Sequence, residues 1–351
     1  MKQWLLCTLA STICAAEVSA APSAPVGGDD WGTLDRDIAA LSASSLQTEP
    51  DGPTVSGLVR AAWLSIPNLL PGDEDLQGFS LLNTQVQVDD ELSDRVAYRI
   101  QLEAAGGNAR LLDAFGAYRV NDLLRITVGN FRAPLLWESQ LSDRDTLFLV
   151  RTDAGELFYG RDQGVMVDGA WERFNWRVSL QNGVDIQESR AAFCARVGVN
   201  AIGKGVGLLQ GAYGMGDETN LSVAAAFYND SGVDDDGSVY STDAQLRVGR
   251  FAADGSLTSY GDGTNGNFAT RTDANSWSAS VSFMVVPDEW EVALRYQDID
   301  NDKDASDITL GVNYYVMGHS AKVQANLTHV DSDDPPVDDT WRAGIGLTVG
   351  V

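Results

Sequence analysis

The sequence predicts an all-β protein: a transmembrane antiparallel β-barrel of about 16 strands, its long third outer loop folded back into the pore. Three observations carry this expectation. An apolar leader opens the chain. From Val55 to Val351, short segments alternate apolar and polar residues, separated by Gly, Asp, Asn or Pro. Hydrophobic content is 44%, yet no apolar run reaches the ~18 residues of a spanning helix.

In chain order, Met1-Lys2, WLLCTLASTICAA and Glu17-Val18-Ser19-Ala20 read as the charged, apolar and cleavage regions of a signal peptide, residues 1–20. Removing it takes Cys7 and Cys14 away and leaves Cys194, so an internal disulfide is excluded. Residues 21–53, rich in Ala, Ser, Pro and Asp, read as a periplasmic extension with room for a short helix at 35–46. The barrel is expected over 54–351.

The stretch RVAYRIQLEA, Arg95–Ala104, decides the period. Wound as a helix, its apolar residues scatter to opposite sides. Extended, Val96, Tyr98, Ile100 and Leu102 share one face, and Arg95, Ala97, Arg99, Gln101 and Glu103 the other. The same split recurs where Phe174, Trp176, Val178 and Leu180 oppose Asn175, Arg177, Ser179 and Gln181. It recurs again from Trp277, from Trp290, from Leu310, from Val323 and from Trp341. Strands are expected to begin near residues 55, 79, 94, 110, 124, 161, 173, 192, 219, 240, 255, 275, 289, 307, 319 and 340. An even number of such strands closes on itself, because lipid cannot satisfy an open edge. Aromatic residues near the strand ends, such as Trp63, Trp176, Trp277 and Trp341, suit the membrane interfaces.

Connections alternate in length. DDELSD, VNDL, WERF, VPDE and VMGH are short and belong inside; residues 64–78, 132–160, 183–191, 230–239, 263–274, 298–306 and 331–339 are longer, acidic and outside. Residues 132–160 are too many for idle loop.

Around that loop, ITVGNFRAPLLWESQLSDRDTLFLVR and LFYGRDQGVMVDG carry Gly129-Asn130-Phe131-Arg132-Ala133-Pro134 and Gly160-Arg161-Asp162-Gln163-Gly164-Val165. These resemble the phosphate-selective porin O/P family, in which Gly-x-Phe-[Lys/Arg]-x-Pro leads into the third loop and Gly-Arg-Asp-x-Gly-Val begins the next strand. ITLGVNYYVMGHSAKVQANLTHVD resembles the family's penultimate hairpin. The resemblance covers roughly residues 55–351. It implies an outer-membrane channel of 16 strands, commonly a homotrimer, passing small hydrophilic solutes, in some members anions such as phosphate. The chain departs from the family in its scarce lysine, its acidic loops and its final Val351.

Net charge is -26, from 24 basic and 50 acidic residues, which excludes general nucleic-acid binding. Sorted by strand face, the balance reverses. Eleven basic residues fall on the lumen register: Arg60, Arg95, Arg99, Arg119, Arg125, Arg177, Arg196, Arg247, Arg295, Lys322 and Arg342. Five acids accompany them: Glu103, Asp113, Asp168, Asp243 and Glu291. Guanidinium groups hold their charge at any relevant pH and fork toward oxyanions, so this lining either favours passing anions or braces the wall through carboxylate pairs. Arg132, Arg144, Arg151 and Arg161 on or beside the long loop would shape a constriction.

Enzymatic chemistry finds no foothold. GVNAIGK at Gly198–Lys204 lacks the Ser/Thr of a phosphate loop, and neither HExxH nor GxSxG occurs. His319 in a short turn and His329 on the lipid register read as interfacial residues. Asp298, Asp300, Asp302 and Asp304 begin like a calcium loop, but Lys303 and Thr309 stand where glycine and glutamate are required. No metal or cofactor is expected. The expected partners are outer-membrane lipid and lipopolysaccharide on the outside and small anionic or polar solutes within.

Overall fold

A computed structural model describes residues 52–67, 75–183, 191–214, 216–230, 237–261, 275–298, 305–332 and 340–351. All lie in one compact unit, Thr48–Val351. The expected leader, residues 1–20, and nearly all of the extension fall outside the described residues, as does most of the acidic stretch Asp298–Asp304.

Sixteen strands form the wall. The first eight are β1 (Thr54–Ile66), β2 (Leu76–Ser93), β3 (Val96–Glu103), β4 (Arg110–Asn121), β5 (Leu124–Arg132), β6 (Arg161–Trp171), β7 (Phe174–Gln181) and β8 (Ala192–Ile202). The rest are β9 (Thr219–Asp230), β10 (Ser238–Val248), β11 (Phe251–Tyr260), β12 (Asn275–Val286), β13 (Trp290–Asp298), β14 (Ala305–Tyr315), β15 (Ala321–Ser332) and β16 (Thr340–Gly350). Every start lies within four residues of its sequence expectation. Each strand pairs antiparallel with its chain neighbours, and β1 pairs with β16 from Leu58↔Gly350 to Ser65↔Ala343. Closure leaves no row of unpaired backbone groups facing lipid.

The two faces separate as a period of two requires. On β12, Ser276, Ser278, Ser280 and Ser282 are buried inside while Trp277, Val281 and Phe283 stay exposed outside. Aromatic pairs strengthen the outer face through cross-strand contact: Trp277 with Tyr296 at 4.9 Å and Trp290 with Tyr314 at 4.7 Å between ring centroids. His329 meets Trp341 there at 4.6 Å.

Among the described residues, the hydrophobic core sits inside the barrel. Residues 133–160, between β5 and β6, carry helix α1 (Trp137–Gln140), a 3₁₀ turn (Asp143–Asp145) and helix α2 (Asp153–Leu157). Leu135, Leu136, Ala154 and Phe158 of this segment bury against Cys194, Tyr228 and Tyr260 of β8, β9 and β11. Further along, Phe148 and Leu149 fill notches left by inward-facing glycines. A Cβ on Gly311 of β14 would stand 3.0 Å from Phe148, and one on Gly346 of β16 2.7 Å from Leu149.

Candidate functional site in the barrel interior

The site is built where the 133–160 segment meets the polar inner register of the wall. Inward side chains donate to the segment's carbonyls. Arg60 of β1 reaches Leu149 O at 2.8 Å, Arg196 of β8 reaches Leu135 O at 2.8 Å, and Arg295 of β13 reaches Val150 O at 2.8 Å. Lys322 of β15 donates to Thr146 O at 2.5 Å, and Gln324 to Thr146 O and Leu147 O. In return, segment amides donate to the wall: Leu149 N to Asn326 Oδ1 at 2.7 Å and Asp153 N to Gln297 Oε1 at 2.9 Å. A buried backbone needs such partners, and the alternating strands supply them.

The segment's own charge centre is Asp143. It accepts hydrogen bonds from Arg151 at 2.8 Å, Gln85 at 3.0 Å, Asn83 at 3.2 Å and the Tyr159 hydroxyl, with Arg60 at 3.9 Å. Burial alone would raise its pKa, but Arg151, Arg60 and the Tyr159 hydrogen bond outweigh burial and hold it well below the ordinary carboxylate value. Three guanidinium carbons lie over the Tyr159 ring: Arg132 at 4.1 Å, Arg161 at 4.4 Å and Arg151 at 4.5 Å. Cation–π attraction offsets part of the repulsion among them. Arg132 also donates to Ser139 O and Leu141 O, and Arg161 to Asp113 Oδ1 at 3.0 Å. Arg144, on the 3₁₀ turn, contacts Asp145 at 3.3 Å. It borders a cavity of about 390 Å³ shared with Arg99, Arg132 and Asp113.

A second insert comes from the opposite end. Residues 203–218, between β8 and β9, enter the barrel among the short turns. Leu147 N donates to Gln210 Oε1 at 2.9 Å, Gln210 N to Asp145 O at 3.0 Å, and Trp137 Nε1 to Gly207 O at 3.0 Å. Arg247 of β10 donates to Leu209 O, and Ala212 N donates to Glu291 of β13. Tyr213 packs on Tyr315 at 4.5 Å and edge-on to His319 at 5.5 Å. The sequence reading missed this insert. Its signal was spacing: starts at 192 and 219 stand 27 residues apart across a turn that belongs to the short set.

The wall cations divide by partner. Arg99, Arg125 and Arg196 pair with carboxylates: Asp89 at 2.7 Å, Asp168 at 3.0 Å and Asp243 at 2.6 Å. Arg247, fully buried, has Asp254 at 3.8 Å. Arg60, Arg295 and Lys322 bond to segment carbonyls. Arg119, Arg177 and Arg342 have no ion pair among the described residues. Two expectations need correcting. Arg95 lies in the β2–β3 turn, exposed, where the Ser93 hydroxyl accepts from the amides of Arg95 and Val96 and fixes the reversal one residue before β3 begins. His319 is in a short turn as expected, yet it is wedged against Tyr213 and Tyr315 and is not interfacial; burial lowers its pKa to about 3, so the ring stays neutral. Glu103 accepts from Asn83, Gln85 and backbone amides, not from Arg99.

Cross-strand register aligns five of the inward side chains in one row. Arg119↔Arg125, Arg125↔Asp168, Asp168↔Arg177 and Arg177↔Arg196 are successive Cα partners from β4 to β8. The row starts beside the β4–β5 turn and ends at Arg196, which touches the 133–160 segment.

A closed antiparallel wall with an apolar outer face and a polar inner register is built for an outer membrane. A family model described as Gram-negative porin matches residues 198–335. No curated protein matches the chain by sequence. Among solved structures, the chain is similar to an anion-selective porin from Comamonas acidovorans, at 12% identity and TM-score 0.59, covering 86% of this chain and 99% of that one. It is similar to OprB of Pseudomonas putida, at 12% identity and TM-score 0.64, covering 92% and 97%. It is also similar to the outer-membrane channel DcaP of Acinetobacter baumannii, at 13% identity and TM-score 0.58, covering 87% and 99%.

Proposed function

We propose that this protein is an outer-membrane channel for passive diffusion of small hydrophilic solutes, narrowed by the 133–160 segment and favouring anions such as phosphate. The observation that supports anion preference is the row from Arg119 to Arg196. Four guanidiniums stand against Asp168 within the row and Asp243 on Arg196, a balance of four minus two, or +2. Arg119 and Arg125 remain exposed at the inner end, where a fixed positive field draws anions and repels cations. The solute moves down its gradient and no covalent step is involved.

A second reading has its own support. The apolar core beneath Leu135 and Phe158, and the many arginines bonded to carbonyls, fit a barrel whose filling is structural. Reconstitution separates the two. In a planar bilayer with a KCl gradient, the channel should conduct, and its reversal potential should carry the sign of chloride preference. The triple variant Arg119→Ala, Arg125→Ala, Arg177→Ala should shift that potential toward zero by half or more. Cation selectivity in the unmodified protein would sink the anion part; absence of any current would leave the plugged barrel.

A further inference from the structure

Four inward side chains stand directly opposite one another across β13 to β16: Arg295, Thr309, Thr328 and Arg342. The two hydroxyl oxygens are 3.0 Å apart. Three strand spacings of about 4.8 Å put the two arginine Cα atoms about 14 Å apart, within reach of a common guest. Arg295 is held over Phe148 at 4.7 Å with one nitrogen on Val150 O. Arg342 has no hydrogen-bond or ion-pair partner among the described residues, and its Nε is buried. The side chain as a whole is half-buried, and a buried donor left without a partner costs free energy.

The row borders a cavity of about 330 Å³. At roughly 30 Å³ per water, that is space for a solute of about ten heavy atoms. Leu64, Ile66, Leu149 and Val150 give the cavity an apolar side. Asp153, Glu156 and Asp307 line it as well, beside Arg151. Asp307 sits opposite Gln297, two residues outward from the Arg295–Thr309 pair, and Gln297 also binds Asp153 N. The acidic tier thus stands about 7 Å outward of the arginine row. A plain anion drawn to Arg342 would face Asp307 one tier away, with Asp153 and Glu156 also on the lining. A plain cation drawn to those carboxylates would face Arg342. A molecule carrying both signs and an apolar body satisfies every side of the cavity.

We propose that this cavity recognises a small zwitterion with an apolar body, an apolar α-amino acid, its carboxylate on the Arg295–Thr309–Thr328–Arg342 row and its ammonium on the acidic tier. The assignment rests on the diffusion-channel reading and gives it a solute class. The test is titration calorimetry of the full-length, detergent-solubilised protein with L-phenylalanine, beside chloride conductance of the same preparation. Saturable phenylalanine binding is expected. Benzoate, phenethylamine and glycine, which lack the amine, the carboxylate and the apolar body in turn, should each bind at least tenfold more weakly. Arg342→Gln and Asp307→Asn should each weaken phenylalanine tenfold or more, and Thr328→Val severalfold, all judged on barrels that still migrate as folded on unheated gels. Benzoate or phenethylamine binding as tightly as phenylalanine overturns the proposal, as does binding that ignores both Arg342→Gln and Thr328→Val. Chloride current without phenylalanine binding sinks this inference alone; phenylalanine binding without current sinks the channel reading and leaves the site.

Discussion

Removing residues 206–213 should raise single-channel conductance severalfold. Gly205 and Gly214, at φ 88 and 70, would flank the shortened turn, and glycine tolerates the positive φ that a tight reversal demands. The deletion takes away Gly207 O, Leu209 O, Gln210 and the Ala212 amide. Trp137, Arg247, Leu147, Asp145 and Glu291 lose their partners from this insert at once. Arg247 and Glu291 are fully buried in the native protein. With the insert gone they regain water, so their charges cost little and the vacated volume becomes aqueous. An unchanged conductance would show that this insert does not limit the passage.

The second large effect is expected at Asp143. Replacing it with Asn removes one negative charge from between Arg60 and Arg151 and leaves both guanidiniums buried without it. Breaking a buried pair in this way typically costs about 3–5 kcal/mol, so the thermal midpoint of the folded barrel should drop clearly and the current through it should become noisy. The sign with pH follows from the depressed carboxyl. Its contribution is complete above the ordinary carboxylate value of 3.8 and is lost only as pH falls through the lower folded value. Between pH 8 and pH 4 the deficit of Asp143→Asn relative to the parent should therefore stay constant, and it should shrink in stronger acid. A midpoint unchanged at pH 7 would mean that Asn83, Gln85 and Tyr159 hold the segment without the charge.

The wall was readable in the amino-acid sequence because a strand's period of two is local: each residue declares its face beside its neighbour's. RVAYRIQLEA illustrates both the reach and the edge of that logic. From Val96 onward its faces are as the alternation requires, but Arg95 belongs to the turn, because a Ser93 hydroxyl can end a strand without disturbing its pattern. Partners were less legible than faces. Arg99 meets Asp89 and Asp113 rather than Glu103, a choice set by the register between strands. The interior filling was hardest to read. Asp143, Tyr159, Phe148 and Leu149 lie where no period operates; Asp143 is held by Asn83 and Gln85 some sixty residues back, and Phe148 and Leu149 meet Arg295 and Asn326, more than a hundred residues on. The inward glycines Gly311, Gly344 and Gly346 were visible as members of the polar face; that they are sockets depends on what stands opposite them.

Two sets of bonds inside the barrel differ in their distance along the chain. Those joining the 133–160 segment to β8 and the 203–218 insert span 61 to 70 residues. Those joining it to β13 and β15 span 144 to 178. Nearer contacts close smaller loops and form sooner. The consequence concerns assembly: β5 to β11 can gather both inserts on an open half-wall, and β12 to β16 then close over a finished interior, which serves as the mandrel on which the cylinder is completed.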